Sequence, residues 1–186
     1  MQYTDFIKCL EENPVIASTC DDLWEEAIAS QAQVIFYLSA NILSIDKRVT
    51  AAHEAGKILL VHADLAEGIG KDSSGMKYLT KCGVDGIIST KAYLIKLAKD
   101  CGLIAIQRMF LFDSKGIESI SDMVKGTAPH FMEIMPGVIE KEIIRFSKGH
   151  TPVIAGGLIE TKGEVTKALR CGAIAVSTGK PDLWSI

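Results

Sequence analysis

The fold class of this chain is clearest in two runs near its end, Pro152-Val-Ile-Ala-Gly-Gly-Leu158 and Ala173-Ile-Ala-Val-Ser-Thr-Gly179. Each is a short apolar run that ends in glycine or hydroxyl residues, as does Phe131-Met-Glu-Ile-Met-Pro-Gly137 before them. Such a run is typical of a buried parallel strand that opens into a loop of bare backbone N–H groups. In a (β/α)8 barrel, the loops after strands seven and eight form the usual phosphate site. The sequence therefore predicts a small phosphorylated ligand.

The rest of the chain repeats one order of elements: helix, glycine, strand. Helical stretches end at Ala55-Gly56, Cys82-Gly83, Cys101-Gly102 and Cys171-Gly172, and a run rich in Val and Ile follows each. Glycine supplies the left-handed residue that closes a helix, and this order is the second half of a βαβ unit. Eight strands are predicted, at Val15–Ser18, Val34–Leu38, Ile58–His62, Gly86–Ser89, Ile104–Arg108, Met132–Met135, Val153–Ala155 and Ile174–Ser177.

These strands predict a single α/β domain over residues 1–186, a compact TIM-type (β/α)8 barrel. The amphipathic stretches between them predict helices, with a further short helix over 2–12 and a short or missing helix after the last strand. An open doubly wound sheet is less consistent with the sequence, because such a sheet carries its glycine-rich loop after the first strand. Here the glycine-rich loops come last.

Composition restricts the class of protein further. The chain is 48% apolar with a net charge of −3, which is typical of a globular domain. It has no signal-peptide pattern and no long uncharged apolar stretch, so we expect no membrane partner. Five cysteines without a C-x-x-C pair make disulfides and a zinc site unexpected and predict a cytoplasmic protein.

Charge is unevenly distributed along the chain. Residues 1–70 carry 4 basic and 11 acidic side chains, whereas residues 71–125 carry 9 basic and 6 acidic ones. The basic middle segment could bind a polyanion, or its lysines could simply be solvated on helix faces. The basic residues that could form such a polyanion-binding patch are Lys71, Lys77, Lys81, Lys91, Lys96, Lys99, Arg108, Lys115 and Lys125. The main candidates among them are Lys71, Lys77, Lys81, Lys96 and Lys99.

The glycines and hydroxyls at the last strand ends are candidates for binding phosphate. Glycine lets a phosphate approach the backbone closely, and bare N–H groups donate hydrogen bonds to it. An alternative is that these glycines serve only tight turns. The predicted phosphate-binding residues are Gly137, Gly156, Gly157, Ser177, Thr178 and Gly179.

Other strand ends carry polar side chains where a core would exclude them. Buried polar groups need partners, and in a barrel these positions face the functional end. His62, Asp64 and Glu67 could bind a divalent cation, transfer a proton or form a structural cluster. Glu133, inside strand six, needs a cationic partner, for which Arg108 on the neighbouring strand and Lys91 are candidates.

Six segments, taken in order, resemble the glycerol-3-phosphate-responsive transcription antiterminators, the glycerol uptake operon regulators of Gram-positive bacteria. The resemblance covers about residues 14–184. The segments are Val61-His-Ala-Asp-Leu-Ala-Glu-Gly-Ile-Gly-Lys-Asp72, Asp85-Gly-Ile-Ile-Ser-Thr90, Ile106-Gln-Arg-Met-Phe-Leu-Phe-Asp-Ser114, Glu133-Ile-Met-Pro-Gly-Val138, Ile154-Ala-Gly-Gly-Leu-Ile159 and Ala173-Ile-Ala-Val-Ser-Thr178.

The resemblance implies a regulator without a cofactor that binds glycerol 3-phosphate and then the leader mRNA of glycerol genes, promoting antitermination. It implies no enzyme activity, and a homo-oligomer is compatible with it. For the two glycerol hydroxyls we expect hydrogen-bonding partners opposite the phosphate, at His62, Asp64, Gln107, Arg108 and Glu133. The alternative function is a barrel enzyme that acts on a small phosphorylated three-carbon compound or a glycerol phosphodiester.

Overall fold

The computed structural model of the chain describes residues 2–186, and its eight strands form one closed parallel barrel. Each strand pairs with the next in sequence, and the eighth pairs with the first. The strands are β1 Val15–Thr19, β2 Val34–Tyr37, β3 Ile58–His62, β4 Gly86–Ser89, β5 Ile104–Phe110, β6 Phe131–Met135, β7 Val153–Gly156 and β8 Ala175–Thr178.

Helices surround the barrel and connect its strands. They are α1 Tyr3–Glu12, α2 Trp24–Ala29, α3 Ile45–Glu54, α4 Ser73–Lys81, α5 Ala92–Asp100, α6 Ser114–Thr127, α7 Glu140–Ser147 and α8 Lys162–Arg170. Between residues 2 and 186, no helix combines the length and the apolar character needed to span a bilayer. After β8 the chain forms only a 3₁₀ turn, Pro181–Leu183.

The predicted barrel is confirmed, and so is the conformation of its glycine caps. Gly56, Gly83, Gly102 and Gly172 all have a positive φ, between 70° and 102°. The clearest difference from the prediction is β5, which extends to Phe110 because Met109 and Phe110 continue to pair with β6. The shortened C-terminus is held in place by Trp184, whose fully buried indole Nε1 donates to the carbonyl of Thr178 at 2.8 Å.

Alternation along each strand creates two buried faces, as expected for a barrel surrounded by helices. In β5, the side chains of Ala105 and Met109 belong to the apolar layer between barrel and helices. Ile104 and Ile106 belong to a second apolar cluster inside the barrel. The next inward position is Arg108, so the barrel interior changes from apolar to polar toward the carboxyl ends of the strands.

Helix α1 closes the opposite end of the barrel. Its Phe6 and Leu10 are fully buried and join the interior apolar cluster. The Phe6 ring meets Phe131 of β6 edge to face, with ring centroids 5.1 Å apart. The interior is therefore filled from the amino-terminal ends of the strands up to the polar layer.

We predict that Phe6→Ala lowers the free energy of unfolding by about 3–5 kcal/mol, the usual cost of emptying a buried aromatic site. Lys8→Ala, on the exposed side of the same helix, should change it by no more than about 0.5 kcal/mol. Urea denaturation measures both. Equal stability of the two variants would show that α1 does not close the barrel.

Candidate functional site

A buried ionic cluster occupies the polar layer of the barrel. Arg108 of β5 lies opposite Glu133 of β6 in register, and its Nε donates to Glu133 Oε2 at 2.5 Å. The second oxygen, Oε1, accepts from Ser177 Oγ of β8 at 2.5 Å. Glu133 is fully buried, so both oxygens need these donors. Of the two predicted cationic partners, Arg108 and Lys91, Arg108 is the one that pairs with Glu133.

The carboxylate of Glu133 reaches Ser177 by crossing β7 at Gly156. A Cβ at this position would lie only 2.5 Å from both Glu133 Oε1 and Ser177 Oγ. Gly156 is therefore required to leave room for the carboxylate. This differs from the predicted role of Gly156 in binding phosphate.

A cavity of about 230 Å³ lies above this cluster. Arg108, Glu133 and Ser177 form its polar wall. The other lining residues come from the strand ends and from the loops after β7 and β8: Ser18, Leu38, Met135, Gly157, Leu158, Ile159, Thr178 and Gly179. Sites for drug-sized ligands occupy roughly 300–1,000 Å³, so this cavity fits a smaller metabolite.

Three backbone amides at the cavity are free to bind a ligand. Among residues 2–186, no acceptor receives a hydrogen bond from the N–H groups of Gly157, Leu158 or Gly179. Gly157 and Leu158 both have a positive φ, 74° and 59°. A non-glycine residue in this conformation is strained, and such strain concentrates at functional sites. Clustered bare amides of this kind bind anions.

Two predicted phosphate-binding residues instead hold the loops together. The amide of Gly137 donates to the carbonyls of Gly156 and Gly157, at 2.5 and 3.1 Å. Thr178 Oγ1 donates to the carbonyl of Ile159 at 2.7 Å. These groups are used within the protein, so the phosphate donors that remain of the predicted set are Gly157 and Gly179.

His62 lies on the inner side of β3, next to this cluster. It follows Ile58 and Leu60, which belong to the interior cluster, and it is only 5% exposed. Its Nδ1 has no hydrogen-bond partner among residues 2–186. Burial, followed by the charge of Arg108, lowers the pKa of His62, so its ring is neutral at pH 7. An unpaired buried ring nitrogen is the kind of group that a ligand hydroxyl satisfies.

Asp64 joins the loops after β3 and β4. Ser89 Oγ donates to one oxygen at 2.5 Å, and the amide and hydroxyl of Thr90 donate to the other at 2.8 and 2.7 Å. Burial alone would raise the pKa of Asp64, but these hydrogen bonds hold it below its ordinary value. Three of about four acceptor positions are occupied, so this carboxylate has a structural role and little capacity for a ligand.

The other two candidate residues at the strand ends, Gln107 and Glu67, do not line the cavity. Gln107 faces outward between Ala105 and Met109, and its Oε1 accepts from Thr127 Oγ1 of α6, so it does not reach the cavity. Glu67 accepts from Asn41 Nδ2 at 3.0 Å. Among residues 2–186, no group of three His, Cys, Asp or Glu side chains is placed to hold a metal ion.

The five candidate polyanion-binding lysines divide into two groups. Lys77, Lys81 and Lys96 are exposed on α4 and α5. Lys71 Nζ donates to the carbonyl of Ala66 at 2.5 Å, and Lys99 Nζ donates to that of Ala128 at 2.6 Å, at the end of α6. These two ammonium groups therefore stabilise the loop after β3 and the carboxyl end of α6.

Sequence reasoning missed part of the cavity wall. The Leu158 amide is available because of a positive φ that the sequence does not signal at a leucine. Ser18, Leu38 and Met135 also line the cavity. Ser18 and Leu38 could have been found from the strand alternation, because they continue the inward positions of β1 and β2.

Together, the closed parallel barrel and the small polar cavity at the carboxyl ends of its strands define a (β/α)8 barrel with a candidate ligand site at the usual end. The chain belongs to the glycerol-3-phosphate responsive antiterminator family, whose sequence model matches residues 15–184.

Known relatives agree with this assignment. The uncharacterised protein YgcP of Escherichia coli (strain K12) is 35% identical over 180 residues, 95% of this chain and 94% of that protein. The glycerol uptake operon antiterminator regulatory protein of Listeria monocytogenes superposes with a TM-score of 0.87 at 33% identity, over 92% of this chain and 95% of that one. A glycerol uptake operon antiterminator-related protein of Thermotoga maritima gives 0.82 at 30% identity, over 91% and 96%.

We predict a pH-dependent stability that involves His62. Because its pKa is lower in the folded than in the unfolded chain, the unfolded chain binds more protons just below pH 6.5, and stability falls as pH decreases through that range. His62→Gln should remove part of this dependence, leaving the part due to His130, whose pKa burial also lowers. Thermal unfolding between pH 5 and 8 measures the difference.

The exposed His150 provides the matched control. His150→Gln should keep the pH dependence of the unmodified chain. If the stability of His62→Gln and of His150→Gln changed with pH in the same way, the pH dependence would not come from His62.

Proposed function

We propose that the barrel senses glycerol 3-phosphate in the 230 Å³ cavity and, when liganded, binds the leader mRNA of glycerol-utilisation genes to promote transcription antitermination. One observation supports the ligand assignment above all others: the same small cavity is lined by bare loop amides and by the buried Arg108–Glu133 ion pair. A phosphate group on a short polyol needs anion donors at one end and polar partners at the other.

The phosphate end is assigned to the amides of Gly157, Leu158 and Gly179. The Arg108 Nε is used by Glu133, whereas its terminal nitrogens make no hydrogen bond to residues 2–186. A guanidinium with free nitrogens at a cavity wall supplies directed charge-assisted hydrogen bonds to an anionic ligand.

The hydroxyl end is assigned to Glu133 and His62. Each Glu133 oxygen already accepts one hydrogen bond, and a carboxylate has about four acceptor positions in all. His62 is not among the residues that line the cavity, and its buried Nδ1 supplies one further partner once the ring turns toward a bound ligand. A ligand that lacks a hydroxyl would leave the spare acceptor positions of Glu133 and the Nδ1 of His62 unused.

We predict that Gly157→Leu weakens glycerol 3-phosphate binding by at least about tenfold. A Cβ at this position would lie 2.7 Å from Met135 Cε, and the loop shift that relieves this clash moves the amide away from the phosphate. Losing one hydrogen bond to a charged group costs about 1.5–3 kcal/mol. Isothermal titration calorimetry measures the affinity. Gly102→Leu is a control for the strain of a positive φ: its φ of 75° is within one degree of the 74° of Gly157, but it lies at the opposite end of the barrel and a Cβ there would meet no other atom within 4 Å. Only Gly157→Leu should lose the ligand.

Ligand analogues test the hydroxyl end separately. Propyl phosphate should bind about tenfold or more worse than glycerol 3-phosphate, because a site built for hydroxyls rejects analogues without them. Inorganic phosphate should retain weak binding. Equal affinities for glycerol 3-phosphate and propyl phosphate would refute the assignment of Glu133 and His62.

The RNA part of the proposal is supported by the family and by the net-positive segment 71–125. We predict that reversing the charges of Lys77, Lys81 and Lys96 weakens binding of a leader transcript and reduces the salt slope by about 0.7 per lost phosphate contact. Glycerol 3-phosphate affinity should not change. Reversal of Lys8, Lys47 and Lys148, exposed outside this segment, is the control.

A second candidate is an enzyme acting on a small phosphorylated three-carbon compound or a glycerol phosphodiester. The observation in its favour is the neutral, unpaired His62 beside a buried carboxylate, a pair able to transfer a proton. Barrels such as the deoxyribose phosphate aldolase of Aeropyrum pernix, 13% identical with a TM-score of 0.69, share the fold alone. Turnover of triose phosphates or glycerol phosphodiesters that is lost in His62→Gln would favour the enzyme.

A further inference from the structure

The segment Met109-Phe-Leu-Phe-Asp113 carries two exposed aromatic rings that the ligand site does not use. Phe110 is 43% exposed. Phe112 is 86% exposed, which is more than any other large apolar side chain among residues 2–186. The two rings stack on each other, with centroids 5.6 Å apart and planes 23° from parallel. Exposed apolar surface of this kind usually marks an interaction site.

The backbone between the rings is anchored on both sides. Leu111 is buried, and its amide donates to the carbonyl of Met135 at 2.8 Å. Asp113 caps α6 by accepting from the amide of Gly116 at 2.7 Å. The rings are therefore presented by a fixed backbone, which lowers the entropic cost of using them to bind a partner.

The pair lies on the rim of the ligand cavity. Phe110 is two residues beyond Arg108 on β5, so alternation places both on the inner side of the strand. Its register partner on β6 is Met135, which lines the cavity together with Arg108. Phe110 is not itself a lining residue, so it lies one inward position of β5 beyond the cavity wall.

Two unpaired cations flank the rings. Lys91 follows β4, the neighbour of β5, and Lys115 lies in the first turn of α6. Both are exposed, and neither makes an ion pair with residues 2–186. A cation at the amino-terminal end of a helix opposes the helix dipole, so helix stability does not account for these lysines.

We propose that Phe110 and Phe112 form a base-stacking platform for a single-stranded segment of RNA, placed so that an occupied ligand cavity strengthens RNA binding. This rests on the function proposed above. Aromatic side chains stack on unpaired bases while nearby cations contact the phosphates, which is the common mode of single-strand recognition. The flanking lysines favour a polyanion over a second copy of this chain, because a symmetric contact between two copies would bring the same lysines together.

The coupling follows from the shared strand. Glycerol 3-phosphate contacts Arg108 and Met135 from inside the barrel, and the RNA bases contact Phe110 from outside. A ligand that restricts the side chains of Arg108 and Met135 also restricts the Phe110 ring beside them. RNA binding then costs less conformational entropy. Binding coupling is reciprocal, so RNA must increase the affinity for glycerol 3-phosphate by the same factor.

The test compares Phe112→Leu, which keeps an apolar side chain and removes the aromatic ring, with Tyr93→Leu, an exposed aromatic position on α5. The probe is a fluorescein-labelled transcript of the leader preceding the glycerol-uptake gene in the same genome, titrated with and without saturating glycerol 3-phosphate. Phe112→Leu should weaken RNA binding by roughly 5- to 100-fold. Tyr93→Leu and the ligand affinity measured without RNA should change less than twofold. Phe112→Trp should retain binding, and RNA should quench its added fluorescence.

Each outcome has a separate meaning. Wild-type protein that binds the transcript with unchanged affinity in Phe112→Leu would overturn the platform and leave the proposed function intact. Wild-type protein that binds no transcript, but does bind glycerol 3-phosphate, would overturn both the platform and the RNA function. If Phe112→Leu converts an oligomer to a monomer in sedimentation, the rings join copies of this chain and the platform is overturned.

Discussion

The buried carboxylate of Glu133 is the constraint on which the rest of the site depends. Isolating a carboxylate from water is costly, and this one is fully buried, so every neighbouring strand must accommodate it. β5 supplies the Arg108 guanidinium, β8 supplies the Ser177 hydroxyl, and β7 supplies empty space at Gly156. Three other strands are thus matched to one side chain of β6. Removing a single partner leaves the others as unpaired polar groups in a dry interior.

This cluster also separates the structural and functional parts of the barrel. On one side lie apolar layers closed by α1, and on the other lies the small cavity with its bare loop amides. The ion pair fixes the plane of the Arg108 guanidinium through Nε and leaves its terminal nitrogens without a partner among residues 2–186, while Arg108 lines the cavity. Preorganisation of this kind lets a flexible arginine bind an anion with little further loss of entropy.

The fold could be predicted from the sequence because it depends on local patterns. Apolar runs, helix-ending glycines and the Thr161–Glu164 capping box, which the structure forms at the start of α8, are all short-range signals. The site could be predicted only in part, because its roles depend on partners distant in sequence. Gly156 leaves room for Glu133, Asp64 accepts hydrogen bonds from Thr90, and Gln107 accepts one from Thr127. The outward direction of Gln107 could have been predicted from the alternation of β5. The donors to Asp64 could not be predicted, because they lie on a different loop.

Closure of the barrel floor by Phe6 and Leu10 has a kinetic consequence. With the interior filled from below, a molecule in the cavity leaves through the mouth at the carboxyl ends of the strands, past Leu158. A partner that covers this mouth slows the escape of the molecule without touching it. The residence time of that molecule would then be set by the lifetime of the covering complex.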